Sequence, residues 1–495
     1  MLAQQQAETP AAVDKMDTSK FVEGAEFSRV NTMVTNTTAS SSRTTLHDGL
    51  FRDITLLDGS MGRQLCEEHH LPDDALFRQI WSAAALVREE FHEKVVAVHK
   101  DYIIAGSTML TTNSFGTQPS FYKRAYEDDY EKRMLCDAEL SSKLAVQART
   151  EMNADPSTVL ILGSLASLYE SHRPDCFLRG VEEDGEEVIA ENYHKLAAAL
   201  VRGGADYLLL ETINCWEEAA LALEGISRME RQVPIIIALE GAMRSLKLKP
   251  QTGRKAAHAF RSLAAYCNPD LVSPQHSASL PSSKRSSRSP SPSKGQGDST
   301  ALAAQGEEAS RSASPSLSSL VESVIPSHEE QIEVFENEGL NIMDPRKSEL
   351  VHRPVAQKPR LPVLCLGFNC APPEEILDSL KAVKGDEALQ QAIKSLDLRV
   401  CAYANVNDRK EAHDNGFDVR KDKREAIEKR HDLVKKIEDP TDATQTPSYA
   451  YDGYVDFVGQ FIDEGADIVG GCCGCGPDGI QEIGKRLQLR PWCKH

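Results

Sequence analysis

The stretch "ENYHKLAAALVRGGADYLLLET", residues 191–212, contains two successive patterns. Its first part places apolar residues three and four positions apart, which is typical of an amphipathic helix. Gly203 and Gly204 then lead into an apolar run over 205–212 that is typical of a strand buried on both faces. A helix that returns through a glycine turn to a buried strand is the repeating unit of parallel α/β folds.

The same unit recurs along the chain, and its repetition predicts the fold. Eight apolar runs rich in β-branched residues occupy 54–60, 106–116, 158–165, 205–212, 233–239, 362–370, 398–405 and 466–473. Eight β-then-α units predict an α/β protein with a (β/α)8 TIM barrel. The alternative is a doubly wound open sheet. Such a sheet usually has a glycine-rich phosphate loop after its first strand, and "DGSMGRQL" at 58–65 does not match G-x-G-x-x-G.

Three polar segments contain too few apolar residues to belong to this barrel. Residues 1–50 are rich in Thr, Ser, Ala and Gln and are expected to form a disordered N-terminal tail. The barrel is then expected over 51–490, with a Ser/Pro-rich low-complexity insertion at 273–330 between strands five and six. A second insertion at 407–445 is dense in charge of both signs and is expected to be solvated.

Charge and cysteine content narrow the class of protein. A net charge of −19 over 495 residues argues against nucleic-acid and anionic-membrane partners, which both favour clustered Lys and Arg. No apolar run approaches the roughly 20 residues that span a bilayer, and no secretory signal is evident, so a cytoplasmic protein is expected. The twelve cysteines are then expected to be thiols, metal ligands or catalytic groups and not disulfides. The sequence does not indicate an oligomeric state.

The active site of such a barrel lies at the carboxyl ends of its strands. The polar and sulfur-containing side chains at these ends are Asp58, Asn113, Glu211, Cys370, Asn405, Cys472 and Cys473. Strands six and eight are separated in the ring by strand seven only, so Cys370 is expected to meet the cysteines that follow strand eight. Those two cysteines are adjacent in sequence, and we expect Gly470, Gly471 and Gly474 to give the backbone the freedom to turn both toward one ion.

Three cysteine ligands suggest a catalytic metal. Three thiolates on Zn²⁺ leave the fourth tetrahedral position open, whereas a structural site prefers four ligands, often as paired C-x-x-C. A substrate thiol bound there would lose its proton near neutral pH and remain nucleophilic, which fits alkylation of a thiol.

Five motifs together resemble the zinc- and homocysteine-dependent S-methyltransferases, the barrel family that includes betaine– and S-methylmethionine–homocysteine methyltransferases. They are "LLDGSMGRQL", "TTNSFG", "LLLETINCWEEA", "GFNC" and "GGCCGCGPDGI", and the resemblance spans roughly residues 50 to 485. It implies that Cys370, Cys472 and Cys473 bind zinc. It also implies that Asp58, Gly59 and Ser60 hold the amino-acid end of homocysteine and that Glu211 pairs with its ammonium. Supporting roles are implied for Asn113, Asn369 and Asn405.

The activity that the resemblance implies is methyl transfer to the homocysteine thiol, giving methionine. The donor would be an onium compound, namely S-methylmethionine, betaine or S-adenosylmethionine. The alternatives are a methyltransferase for a related thiol or selenol such as selenocysteine, and a non-catalytic barrel used as a regulated interaction protein.

Individual motif residues also have ordinary structural interpretations. Asp58 and Gly59 could form a strand-end turn, Glu211 could cap the helix near Trp216, and Asn113 could be a satisfied turn residue. Some positions depart from the family pattern, Gly479 among them. Ala404 stands where the family usually has proline, and Cys475 is an extra cysteine that we expect to lie outside the ligand set.

Overall fold

The computed structural model describes residues 54–126, 128–240, 361–406 and 448–488. It also describes a few positions between them, at 257, 259–260, 262–264, 266, 433 and 435–437. The predicted tail at 1–50 and the predicted insertion at 273–330 lie outside the described residues, as does most of the charged segment at 407–445.

Eight parallel strands form one closed ring. Their bounds are β1 Thr55–Leu56, β2 Met109–Thr111, β3 Leu160–Leu165, β4 Tyr207–Ile213, β5 Ile235–Glu240, β6 Val363–Asn369, β7 Arg399–Ala404 and β8 Ile468–Gly471. Neighbouring strands pair in parallel from β2 through to β7, β8 pairs with both β7 and β1, and a bridge between Leu57 and Met109 closes the ring. The prediction of a TIM barrel is therefore confirmed, and the open-sheet alternative is wrong.

Helices follow the strands and cover the outside of the ring. Their bounds are α1 Met61–Glu67, α2 Ala75–Ile80, α3 Ala84–Val87, α4 His92–Ala105, α5 Pro119–Ala125, α6 Tyr130–Glu151, α7 Pro174–Glu183, α8 Glu186–Arg202, α9 Trp216–Ser227, α10 Pro373–Lys384, α11 Glu387–Ser395, α12 Asp452–Asp463 and α13 Pro477–Arg486. The helix and strand expected within 191–212 are α8 and β4. Short 3-10 turns at Trp81–Ala83 and Glu89–Phe91 connect the helices before α4, and Lys435–Ile437 pairs antiparallel with Ser448–Ala450 outside the barrel.

None of the helices in the described ranges combines the length and the apolar character that a membrane crossing requires.

The apolar core has two layers because side chains alternate between the two faces of each strand. One face, with residues such as Leu208 and Leu210 of β4, packs against the surrounding helices. The other face fills the barrel with residues such as Leu209, Ile236 and Cys401. This inner layer closes the lower part of the barrel, so the polar side chains near the carboxyl ends of the strands lie at an open mouth.

Candidate active site

Three cysteines from two strand ends meet at the barrel mouth. Cys370 directly follows β6, and Cys472 and Cys473 directly follow β8. Their three sulfur atoms all lie within 4.8 Å of one another, and the Sγ atoms of Cys370 and Cys473 are 3.8 Å apart. The strand order β8–β7–β6 brings together residues that are about a hundred positions apart in sequence.

A turn directly after β8 allows two adjacent cysteines to face one point. Cys475 N–H donates to the Cys472 carbonyl at 3.1 Å, and Gly474 has a φ of 86°, in the region that favours glycine. Asn405, which follows β7, accepts the N–H of Cys473 at 3.1 Å through Oδ1. Asn405 therefore fixes the backbone of Cys473.

Gly470 and Gly471 serve a different purpose from the predicted one. Neither has a positive φ, so the backbone at these positions needs no special freedom. Space is the constraint, because a Cβ on Gly471 would lie 2.3 Å from Cys475 Sγ and a Cβ on Gly470 would lie 2.7 Å from Leu57 Cβ. Of the three glycines, only Gly474 supplies the backbone conformation that the sequence analysis expected.

The chemistry of the three sulfurs fits a thiophilic cation. Hydrogen bonds with Cys370 and Cys473, together with burial, hold the pKa of Cys472 well above its usual range in the metal-free protein. A divalent cation at the centre of the cluster would favour the thiolates, because it supplies the missing positive charge. Three soft ligands with room beside them match an open zinc site.

Two carboxyl groups lie buried at the same mouth. Asp58, which follows β1, accepts the Thr111 N–H at 2.7 Å and the Thr111 hydroxyl at 2.8 Å, and burial raises its pKa to about 8. Glu211 in β4 accepts a hydrogen bond from the Ser164 hydroxyl, and burial, reinforced by the charge of Cys473, raises its pKa to about 7. Neither makes an ion pair with a described Lys, Arg or His, so a cationic ligand would find both of them without a charged partner.

One cavity of about 150 Å³ is lined by the three cysteines and by both residues with buried carboxyl groups. Its polar and sulfur-containing wall includes Asp58, Glu211, Asn113 and the three cysteines. Its aromatic wall consists of Phe77, Trp81, Phe115 and Tyr403.

The other predicted residues differ in what they offer to a ligand. Asn113 Nδ2 donates to the Ser82 carbonyl at 2.9 Å, while its Oδ1 is buried without a partner among the described residues. Gly59 and Ser60 line the cavity, but Ser60 N–H donates to the Cys475 carbonyl at 2.8 Å. The Ser60 amide is therefore engaged within the protein.

Asn369 lies beside the cavity and holds two strand ends together. Its Oδ1 accepts the Thr212 N–H at 2.9 Å, and its Nδ2 donates to the Thr212 hydroxyl at 2.8 Å. Thr212 has a φ of 54° in the left-handed region and is adjacent to Glu211. Asn369 thus fixes the end of β4, where the carboxylate projects.

Sequence reasoning missed several groups that shape the cavity. Thr111 and Ser164 hydrogen-bond the two carboxylates, yet an ordinary strand Thr or Ser gives no signal of that role. Tyr403 had a detectable signal, because it is two positions after Cys401 and therefore faces the barrel interior with it. Trp81 has a φ of 55° at the end of α2 and gives no signal in the sequence.

The departure at Ala404 has a structural explanation. Ala404 N–H donates to the Tyr454 hydroxyl at 3.1 Å, and that hydroxyl donates in turn to the Gly470 carbonyl at 2.8 Å. Proline lacks an N–H and could not make the first of these bonds. Tyr454 in α12 thus links β7 and β8 through a contact that requires a residue other than proline.

Comparison with known proteins gives consistent matches. The family described as homocysteine S-methyltransferase matches residues 55–273 and 328–487. The homocysteine S-methyltransferase YbgG of Bacillus subtilis (strain 168) is 29% identical over 188 residues, which are 37% of this chain and 56% of that protein. The homocysteine S-methyltransferase of Escherichia coli (strain K12) is 31% identical over 175 residues, which are 34% of this chain and 54% of that protein. The chain spans about half the length of the curated relatives it matches.

A solved structure is also similar. The oxidised form of the homocysteine methyltransferase MmuM from Escherichia coli covers 88% of this chain and 96% of its own, with a TM-score of 0.46 and 19% identity.

Proposed function

The chain belongs to the homocysteine S-methyltransferase family, and from this premise we propose that it transfers a methyl group from an onium donor to the thiol of homocysteine, giving methionine. The observation that carries the proposal is the shared cavity, in which three convergent sulfurs lie beside two buried carboxyl groups that have no described cationic partner. A small amino acid that ends in a thiol complements both features.

Cys370, Cys472 and Cys473 would hold Zn²⁺. When bound, zinc supplies the positive charge that keeps the substrate thiol ionised near neutral pH and available as a nucleophile. The protein's own contribution is to hold the three sulfurs within 4.8 Å of one another before any ligand binds. The hydrogen bond from Cys473 N–H to Asn405 supports this arrangement.

Glu211 and Asp58 would receive the amino-acid end of homocysteine. With its pKa raised to about 7, Glu211 is partly protonated at neutral pH, and a bound ammonium would favour its ionised form. Asp58 would contact the same ammonium, and Asn113 Oδ1 offers a further acceptor on the cavity wall. Gly59 remains the proposed backbone contact for the substrate carboxylate.

The aromatic wall would receive the donor. S-Methylmethionine, betaine and S-adenosylmethionine all present a methyl group on a cationic centre, and such cations are attracted to aromatic faces. Phe77, Trp81, Phe115 and Tyr403 supply these faces in the cavity that also contains the sulfurs. These residues would exclude water and align the donor methyl for in-line displacement by the substrate sulfur.

A donor panel tests the proposal. Purified protein, loaded with zinc, is incubated with L-homocysteine and each of the three donors, and methionine formation is followed. We expect one donor to give clearly faster turnover than the other two, and chelation of the metal to abolish it. Absence of methionine with every donor, in protein that has bound zinc, would contradict the proposal. Preferred methylation of selenocysteine in a competition assay would replace homocysteine as the acceptor.

A further inference from the structure

Two segments beside the cavity are hydrogen-bonded to each other. One is the acceptor loop, residues 58–61 after β1, and the other is the cysteine turn, residues 472–476 after β8. The Cys475 carbonyl accepts the Ser60 N–H at 2.8 Å and the Tyr102 hydroxyl at 3.1 Å. A Cβ on Gly59 would lie 2.4 Å from this oxygen, so the segments touch backbone to backbone. Movement of either segment would therefore disturb the other.

Arg63 extends this contact to the residue beside the predicted ligands. It lies in the first turn of α1, four residues after Gly59, and is 5% exposed. Its guanidinium donates to the Gly474 carbonyl, to the Tyr451 hydroxyl at 3.1 Å and to Glu67 Oε2 at 2.7 Å. Gly474 directly follows Cys473 and has the left-handed φ that turns the chain. The buried guanidinium thus hydrogen-bonds the backbone of the turn that orients the two cysteines.

We propose that Arg63 is a positioning residue that couples the metal site to the acceptor site. It would hold the cysteine turn in the geometry that presents Cys472 and Cys473, while its helix α1 holds the acceptor loop against the same turn. The inference rests on the proposed function, since it takes the three cysteines as ligands and the acceptor loop as part of the homocysteine site. Arg63 is not among the residues that line the cavity.

A second buried arginine provides a matched control for a merely structural role. Arg149 in α6 is 7% exposed, and its guanidinium also bonds one carbonyl and one carboxylate, Val159 O at 3.0 Å and Asp206 at 2.5 Å. These partners immediately precede β3 and β4, so Arg149 acts at the opposite end of the barrel. Loss of either arginine should lower thermal stability, but only loss of Arg63 should weaken the binding of zinc and homocysteine at the barrel mouth.

The test compares Arg63→Met and Arg149→Met in full-length protein. Zinc affinity is measured by competition with a chelator, homocysteine affinity by calorimetry on zinc-loaded protein, and Tm by thermal unfolding. We expect Arg63→Met to weaken zinc binding about 10- to 100-fold, the range for groups that support metal ligands, and to weaken homocysteine binding in parallel. Arg149→Met should lower Tm while both affinities stay within about two-fold of the wild type. Arg63→Lys should recover part of the loss.

Two results would overturn the proposal. One is an Arg63→Met protein with wild-type zinc and homocysteine affinities, and the other is an equal loss of zinc affinity in both arginine variants. If Arg63→Met does not fold, Arg63→Lys and Tyr451→Phe provide the same readout. A zinc-affinity loss in both supports the coupling, and its absence overturns it. The zinc measurement is independent of turnover, so a failed donor panel would contradict the proposed activity and leave this inference to its own test.

Discussion

Carboxylates at the two ends of the barrel are stabilised in different ways. At the amino end, Asp206 immediately before β4 binds Arg149 and also accepts the Ile161 N–H at 2.8 Å. Asp467 immediately before β8 has the same arrangement with Arg399, whose Nε lies 3.3 Å from Asp467 Oδ1. Each carboxylate has an arginine close by, so the charge is compensated within the fold.

At the carboxyl end, Asp58 and Glu211 have hydrogen-bond donors without charge. Thr111 and Ser164 are neutral, and burial raises the pKa of both carboxyl groups. Leaving buried carboxylates without cations costs stability, and such groups are concentrated at functional sites. The carboxylates at the amino end are thus paired with arginines, whereas those at the carboxyl end would be available to the cationic ligand that we propose.

The strongest way to break this contrast is to remove a cysteine at the mouth. We expect Cys370→Ala or Cys472→Ser to weaken zinc binding more than about 100-fold, beyond the effect of changes outside the ligand set, and to abolish methyl transfer. Circular dichroism and bound-metal content check the outcome. Cys365→Ala, in the strand that precedes Cys370 and inside the barrel, is the control and should retain zinc. A Cys370→Ala protein with full activity and no bound zinc would exclude the proposed mechanism.

The next largest effect is expected at Glu211. In Glu211→Gln the Ser164 hydroxyl still has an acceptor, but the negative charge is lost. We expect the KM for homocysteine to rise about 10- to 100-fold, because a hydrogen bond to a charged group contributes about 1.5–3 kcal/mol. Tm should stay the same or increase, since a buried charge without a partner is removed. Steady-state kinetics measure the KM, and thermal unfolding measures the Tm. An unchanged KM would show that Glu211 does not belong to the acceptor site.

The corresponding change at the amino end should have the opposite profile. Arg149→Met leaves Asp206, which is 29% exposed, without its cation. We expect a loss of roughly 2 kcal/mol in the free energy of unfolding, less than the loss for a fully buried pair, with KM values unchanged. Denaturant unfolding and kinetics check this pair of results. A raised KM for homocysteine would show that the two ends are not independent.

The last prediction concerns the pH dependence of stability in the metal-free protein. The pKa of Asp58 is about 8 in the folded state against an ordinary value of 3.8, so the folded state binds more protons between these pH values. The contribution of Asp58 to the free energy of unfolding should therefore be fully present below about pH 4 and fall as the pH rises toward 8. Asp58→Asn should flatten this fall and leave the part due to Glu211. Unfolding curves at several pH values measure the slope, and an unchanged slope in the variant would contradict this assignment.

The repeating pattern predicted most of the fold because a parallel barrel is encoded locally. Each buried strand is one apolar run, and glycine turns lead into β2, β4 and β8, as in 191–212. Each of the eight predicted runs overlaps a barrel strand, and β4 and β5 end one residue later than predicted. Several strands are shorter than the runs that predicted them, notably β1 and β2.

The sequence predicted the side chains at the strand ends but not how each is used. Asn369 and Asn405 bond backbone and hydroxyl groups, and the Ser60 amide is occupied by the Cys475 carbonyl. Such partners lie far apart along the chain, so no local pattern contains them. Arg63 is the clearest case, since its contact with Gly474 joins residues 411 positions apart.

The barrel, the two strand ends that carry cysteines and the family resemblance could all be predicted from the sequence, because periodicity and motif chemistry are local properties of the chain. The tertiary structure was needed to show which groups share the cavity and which buried carboxylates lack a described cation. It was also needed to show why the positions just before the cysteines have no room for a side chain. Those properties depend on distances between segments, which closure of the ring sets and which neighbouring residues cannot encode.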